Sequence, residues 1–142
     1  MGVFQEAPGV FLIDGTYHLL FSPQDGWTPT DNGCHTAPSM SDPWSETTLL
    51  SPRGTYVYLT QNAYDITIDG TQATTYLYLG DHWHAAQLGS STYAFYPVTY
   101  ASDKKSLSLH YTSGWTLDLE TGTATDLPFD TISAANSTTP KE

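Results

Sequence analysis

The chain has 142 residues, the length of one ordinary domain, and its 4 Lys+Arg stand against 15 Asp+Glu for a net charge of −11. Such a balance repels a phosphate backbone and forgoes the counterion release that drives nucleic-acid binding, which argues against nucleic acid as a partner. Charged residues are only 13% and aromatic residues another 13%, a composition suited to strands, turns and sugar-stacking surfaces rather than to helices.

In chain order, MGVFQEAPGV has neither a basic n-region nor an apolar h-region, so it reads as no export signal. Val10 to Ile13 and Tyr17 to Ser22 flank Asp14-Gly15, a strong hairpin signal because both turn positions tolerate positive φ. Cys34 to Pro38 and Thr47 to Leu50 form a second predicted pair around the turn-rich SMSDPWSE. Thr55 to Gln61 is expected to open another unit of strands. Ile66 and Ile68 followed by Tyr76 to Gly80 bracket Asp69-Gly70 in the manner of the first hairpin. Ser91 to Tyr100, Ser106 to Tyr111 and Trp115 to Leu119 complete the series, with turns at Ser102-Asp103-Lys104 and Glu120-Thr121-Gly122.

No apolar run approaches the roughly 18 to 20 residues of a membrane span. The fold class is all-β. Strands recur about every ten residues and group into four-strand sets of about 45, the spacing of a sandwich, barrel or propeller. Two sets and part of a third fit residues 1–127, and the polar stretch 128–142 reads as a disordered tail. It holds the sequon Asn136-Ser137-Thr138, which matters only in a secreted protein. Cys34 is the one cysteine, so no intrachain disulfide is available and the redox compartment stays open.

The segment EAPGVFLIDGTYHLLFS, followed by GWTPTDNGCHTAPSMSDPWSE, resembles glycoside hydrolase family 43 and, within it, the exo-β-1,3-galactanase-like group. The resemblance rests on Glu6-Ala7-Pro8 leading into Asp14-Gly15 and Tyr17, then on Gly26-Trp27 and Ala37-Pro38-Ser39 with Pro43-Trp44-Ser45. It continues through Thr60-Gln61-Asn62, the run Tyr78 to Trp83, Phe95 to Val98 and Trp115 to Gly122, covering about residues 4 to 125. It implies a five-bladed β-propeller with antiparallel four-stranded blades, of which this chain would be the last two to three. The chain is therefore expected to be a C-terminal fragment of a secreted parent, lacking the N-terminal propeller half as a partner.

The resemblance gives Glu6 the role of general acid in hydrolysis of β-1,3-galactan by inversion. Inversion needs a second group on the opposite face of the sugar, about 6.5 to 9.5 Å away, to activate water. Gln61 stands where the galactanase-like group has a glutamine as an unusual base or a water-positioning group; a neutral amide is a poor base, so simple support of the backbone is equally open. Trp27 could stack on a sugar ring and Gly26 would let backbone approach it. Asp25, Asn62 and Tyr64 are candidate partners for sugar hydroxyls, whereas Trp44, Trp83 and Trp115 are assigned to packing. His82 and His84 share a strand face but have no third ligand at a recognisable spacing, so no metal and no cofactor is expected. A Ser/His/Asp triad lacks its Gly-x-Ser-x-Gly elbow. With the blades before Glu6 missing, the chain alone is expected to show little turnover. The alternatives are arabinofuranosidase or xylosidase specificity within the family, a non-catalytic carbohydrate-binding module, and an inactive propeller remnant.

Overall fold

The computed structural model describes residues 4–128; the sequon and all of the predicted tail but its first residue lie outside them. Strands β1 (Gln5–Ile13), β2 (Thr16–Pro23), β3 (Gly33–Ala37) and β4 (Thr48–Leu49) form one antiparallel sheet in sequential order. After a short turn, α1 (Tyr56–Leu59), strands β5 (Gln61–Asp69), β6 (Thr74–His82), β7 (Thr92–Ala101) and β8 (Ser106–Ser108) form a second sheet of the same design. A two-stranded sheet, β9 (Trp115–Asp118) with β10 (Thr123–Asp126), completes the expected pattern of two four-stranded blades and part of a third. No helix among the described residues is long and apolar enough to cross a membrane.

The alternation of β1 and β2 decides how the blades meet. Phe11, Ile13 and Leu20 project to one face together with Cys34, and all are buried against Tyr78, Tyr96 and Leu107 of the second blade. Each such large apolar side chain contributes roughly 1.5 to 3 kcal/mol when fully buried, so the seam between blades holds the fold more than any hairpin does. Phe11 meets Tyr76 edge-on at 5.3 Å, an arrangement aromatic pairs favour. On the other face of β1, Val10 and Leu12 stay exposed.

The Asp14-Gly15 turn is as expected, with φ of 49° and 70° at its two central residues. The Asp69-Gly70 prediction needs correction: β5 and β6 are joined by residues 70–73, and Gly70 N–H donates to Ala73 O at 2.9 Å. Glycine is required there by crowding, not by a left-handed turn, since a Cβ on Gly70 would lie 2.1 Å from Gly122 N. The Glu120-Thr121-Gly122 turn of the third sheet packs onto it, with Thr71 N–H donating to Glu120 O and Ala73 N–H to Thr121 O, both at 2.9 Å.

Thr55 to Gln61 does not open as a strand. Tyr56, Val57, Tyr58 and Leu59 carry φ of 53°, 49°, 58° and 66°, one turn of left-handed helix closed by Thr60 N–H to Tyr56 O at 3.3 Å. Four consecutive non-glycine residues in this region cost roughly 1 to 2 kcal/mol each, so surrounding structure must hold them. Val57 is fully buried in the core, Tyr58 donates its hydroxyl to Leu109 O at 3.1 Å, and the extended backbone resumes only at Thr60.

Candidate active site

The site forms where the first residues of β1 and β5, the neighbouring strands of the two blades, lie side by side. Each strand is irregular at this point. The β1–β2 register shifts between Glu6 and Gly9, with Ala7 at φ 53°, and the β5–β6 register shifts between Asn62 and Tyr64. Bulges of this kind turn a strand end and re-aim its side chains. Ala7 precedes a proline, which disfavours a helical backbone at that position, so its left-handed φ needs an anchor. Asn62 provides it: its side-chain amide donates to Ala7 O at 3.2 Å from a 2% exposed position.

The bulges bring Glu6 and Gln61 into contact. Gln61 Nε2 donates to Glu6 Oε1 at 2.7 Å and to Ser22 Oγ at 2.8 Å, while Gln61 Oε1 accepts from Trp83 Nε1 at 2.9 Å. The indole donates only, so it fixes which end of the Gln61 amide faces Glu6. Trp83 in turn meets Trp27 edge-to-face, ring centroids 4.9 Å apart, and Trp27 remains half exposed. Glu6, Ala7, Gly26, Trp27 and Gln61 together line a cleft of about 460 Å³, room for a sugar ring. Gly26 has φ 56° and open space around its missing side chain.

Four of the seven candidate residues therefore converge: Glu6, Gln61, Gly26 and Trp27. Asp25 does not reach this cleft; it lines a neighbouring apolar cavity of about 660 Å³ that contains neither Glu6 nor Gln61. Asn62 faces the seam between blades and holds the Ala7 bulge instead of opening to the cleft. Tyr64 is exposed beside Pro8, Gly9 and Asp65. Sequence reasoning missed Ser22 and placed Trp83 with the packing residues. Both lie inside quoted motifs, yet nothing in a strand-end serine or a tryptophan after His82 reports a partner on another strand. Trp115 Nε1 donates to Phe95 O at 2.9 Å. His84 pairs with Ser90 Oγ, and no group of three potential metal ligands occurs among the described residues.

Both carboxylate oxygens of Asp65 are buried without a hydrogen-bond partner, and burial pushes this acid up to about 7 despite the nearby Asn62 amide. Burial also pushes the Cys34 thiol up to about 12, with the Asp65 charge adding to it. His18, fully buried and edge-on to Tyr100, has two unpartnered ring nitrogens, and burial holds it below the usual histidine range.

No protein-family model matches the sequence, and no curated protein sequence is significantly similar to it. Solved structures are. The exo-β-1,3-galactanase of Clostridium thermocellum superposes with a TM-score of 0.81 at 29% identity, over 89% of this chain and 28% of that one. The exo-β-1,3-galactanase of Phanerochaete chrysosporium superposes with a TM-score of 0.78 at 31% identity over 87% of this chain, both with galactose and, as a variant, with β-1,3-galactotriose. Over these residues the chain is similar to exo-β-1,3-galactanases of glycoside hydrolase family 43. It spans 27 to 28% of the length of these family 43 structures, so it corresponds to a part of their fold. The paired four-stranded sheets are blades of that propeller-type fold.

Proposed function

We propose that this chain carries the acid-bearing part of a family 43 site that hydrolyses β-1,3-galactan by inversion, with Glu6 as the general acid. The observation that carries the reading is the Gln61 amide, which ties Glu6 to Ser22 and Trp83 at the foot of a cleft walled by Trp27. In this arrangement Glu6 Oε1 is held by Gln61 and Oε2 is the oxygen left to protonate a departing glycosidic oxygen. The Gln61 carbonyl is already committed to the Trp83 indole, so its contribution is orientation of the acid and, through the amide, of water beside it. Trp27 supplies a stacking face for the galactose ring.

The group that activates water on the opposite face would come from the rest of the propeller. The open apolar face of β1, with Val10 and Leu12, is where a preceding blade would pack. The chain alone is accordingly expected to bind galactan oligosaccharides and to turn them over little or not at all. Titration of β-1,3-galactotriose into the purified chain, read by calorimetry, tests binding; Trp27→Ala should weaken it by roughly tenfold or more. Equal affinity in Trp27→Ala, or no binding by the wild-type chain, removes the reading. Steady release of galactose by the chain alone, abolished in Glu6→Gln, would show instead that the site is complete without further blades.

A further inference from the structure

We infer that Asp31 is a positioning residue for the candidate site, acting through the left-handed turn that delivers Gln61. This inference rests on the reading of Glu6 and Gln61 given above.

Asp31 ends the loop that carries Trp27 and lies far in sequence from Gln61. Its carboxylate nevertheless accepts three hydrogen bonds from the far side of the site. Gly54 N–H donates to both oxygens, at 3.0 and 2.9 Å, and Tyr56 N–H donates to Oδ1 at 3.0 Å. Tyr56 is the first residue of the left-handed turn, so the carboxylate grips the turn at its entry. At the exit, Thr60 Oγ1 donates to Val57 O at 2.7 Å and meets the Tyr78 hydroxyl at 3.1 Å. Gln61 is the next residue.

The neighbouring Asn32, fully buried, continues the same fastening. It meets the Tyr78 hydroxyl at 2.9 Å and, oriented by its backbone neighbours, accepts from Asn62 N–H at 3.1 Å and donates to Thr30 O at 3.2 Å. Asn62 then holds Ala7 and, with it, Glu6. Two consecutive loop residues thus tie the wall of the cleft to both strands whose ends carry the chemistry. A turn of four left-handed non-glycine residues has low intrinsic stability, and a charged acceptor on its backbone N–H groups is among the stronger ways to hold it. Without that acceptor the turn would relax toward ordinary backbone angles and swing the side chain of Gln61, whose bonds to Glu6, Ser22 and Trp83 all depend on its position.

The test uses the whole chain, labelled with ¹⁵N, as Asp31→Ala, Asp31→Asn and, as a control that removes one surface carboxylate elsewhere, Asp42→Ala. The readouts are the Trp83 indole N–H resonance and solvent exchange of the Gln61 side-chain amide. Asp31→Ala should shift or broaden the indole resonance and speed Gln61 exchange roughly tenfold, the loss of a charged hydrogen-bond acceptor. Resonances of the β9–β10 sheet should stay in place. Asp31→Asn keeps one acceptor oxygen and should restore part of both signals, and Asp42→Ala should match the wild type. Unchanged Trp83 and Gln61 signals in Asp31→Ala would overturn the inference. So would global loss of dispersion in both Asp31 variants, which would make Asp31 a general fold residue. Because these signals need no sugar, they remain decisive if galactotriose binding fails, and the two readings can fail separately.

Discussion

The seam between the two blades has two regions of opposite character. At its open end every polar group of Gln61 is engaged, by Glu6, Ser22 and Trp83, and the backbone bulges that aim these residues are themselves bonded. A few residues deeper, Asp65 and His18 bury polar atoms with no partner at all. The contrast separates two uses of burial. A satisfied network fixes geometry, because each bond restricts the others. An unsatisfied buried acid fixes nothing and changes protonation instead, which is how Asp65 comes to titrate near neutrality.

The largest effect expected from disturbing this contrast is at Gly9, where a Cβ would sit 1.7 Å from Asp65 Oδ2 and 2.5 Å from Asn62 Nδ2. Gly9→Ala should destabilise the chain by roughly 3 kcal/mol, an overpacking clash against two side chains of the neighbouring strand. Gly15→Ala, with nothing within 4 Å of its Cβ but φ at 70°, should cost only about 1 kcal/mol. Denaturant midpoints of the two variants make the comparison, and equal losses would show that the Asp65 contact is not tight.

The next effect is a pH dependence. The Asp65 pKa is raised in the folded state from an ordinary 3.8 to about 7, so between these values the folded chain holds a proton that the unfolded chain has released. Stability contributed by this group is therefore greatest below about pH 4, falls as pH rises toward 7 and levels off above it, a total of a few kcal/mol. Asp65→Asn should remove that slope and raise the melting temperature at pH 8 above that of the wild type. A slope that persists in Asp65→Asn would assign it to other groups.

The smallest effect belongs to the satisfied end. Trp83→Phe keeps the edge-to-face partner of Trp27 but deletes the one donor to Gln61 Oε1, at an expected cost in stability of about 1 kcal/mol. Galactotriose affinity should fall with it, since the Gln61 amide becomes free to turn. Unchanged affinity would place amide orientation under the control of Ser22 and Glu6 alone.

The blade pattern was legible in the sequence because alternation and turn chemistry are local. Asp14-Gly15 set a register, and with it the side of β1 that carries Phe11 and Ile13 to the core. The left-handed turn at Tyr56 to Leu59 was not legible, since Tyr-Val-Tyr-Leu has the composition of a strand; Asp31, more than twenty positions earlier, overrides that local preference. Gly70 was misread for the same reason, its need for glycine lying in the approach of Gly122 from another sheet.

The site divides in the same way. Glu6, Gln61, Gly26 and Trp27 could be named from motifs, because the chemistry of a carboxyl, an amide and an aromatic face belongs to the residue itself. That Asn62 holds a bulge, that Asp25 lines another cavity, and that Ser22 and Trp83 belong to the Gln61 network are facts about distance between strands. Hydrogen bonds and burial between residues remote in sequence exist only once both blades have packed, and only the tertiary structure could decide them.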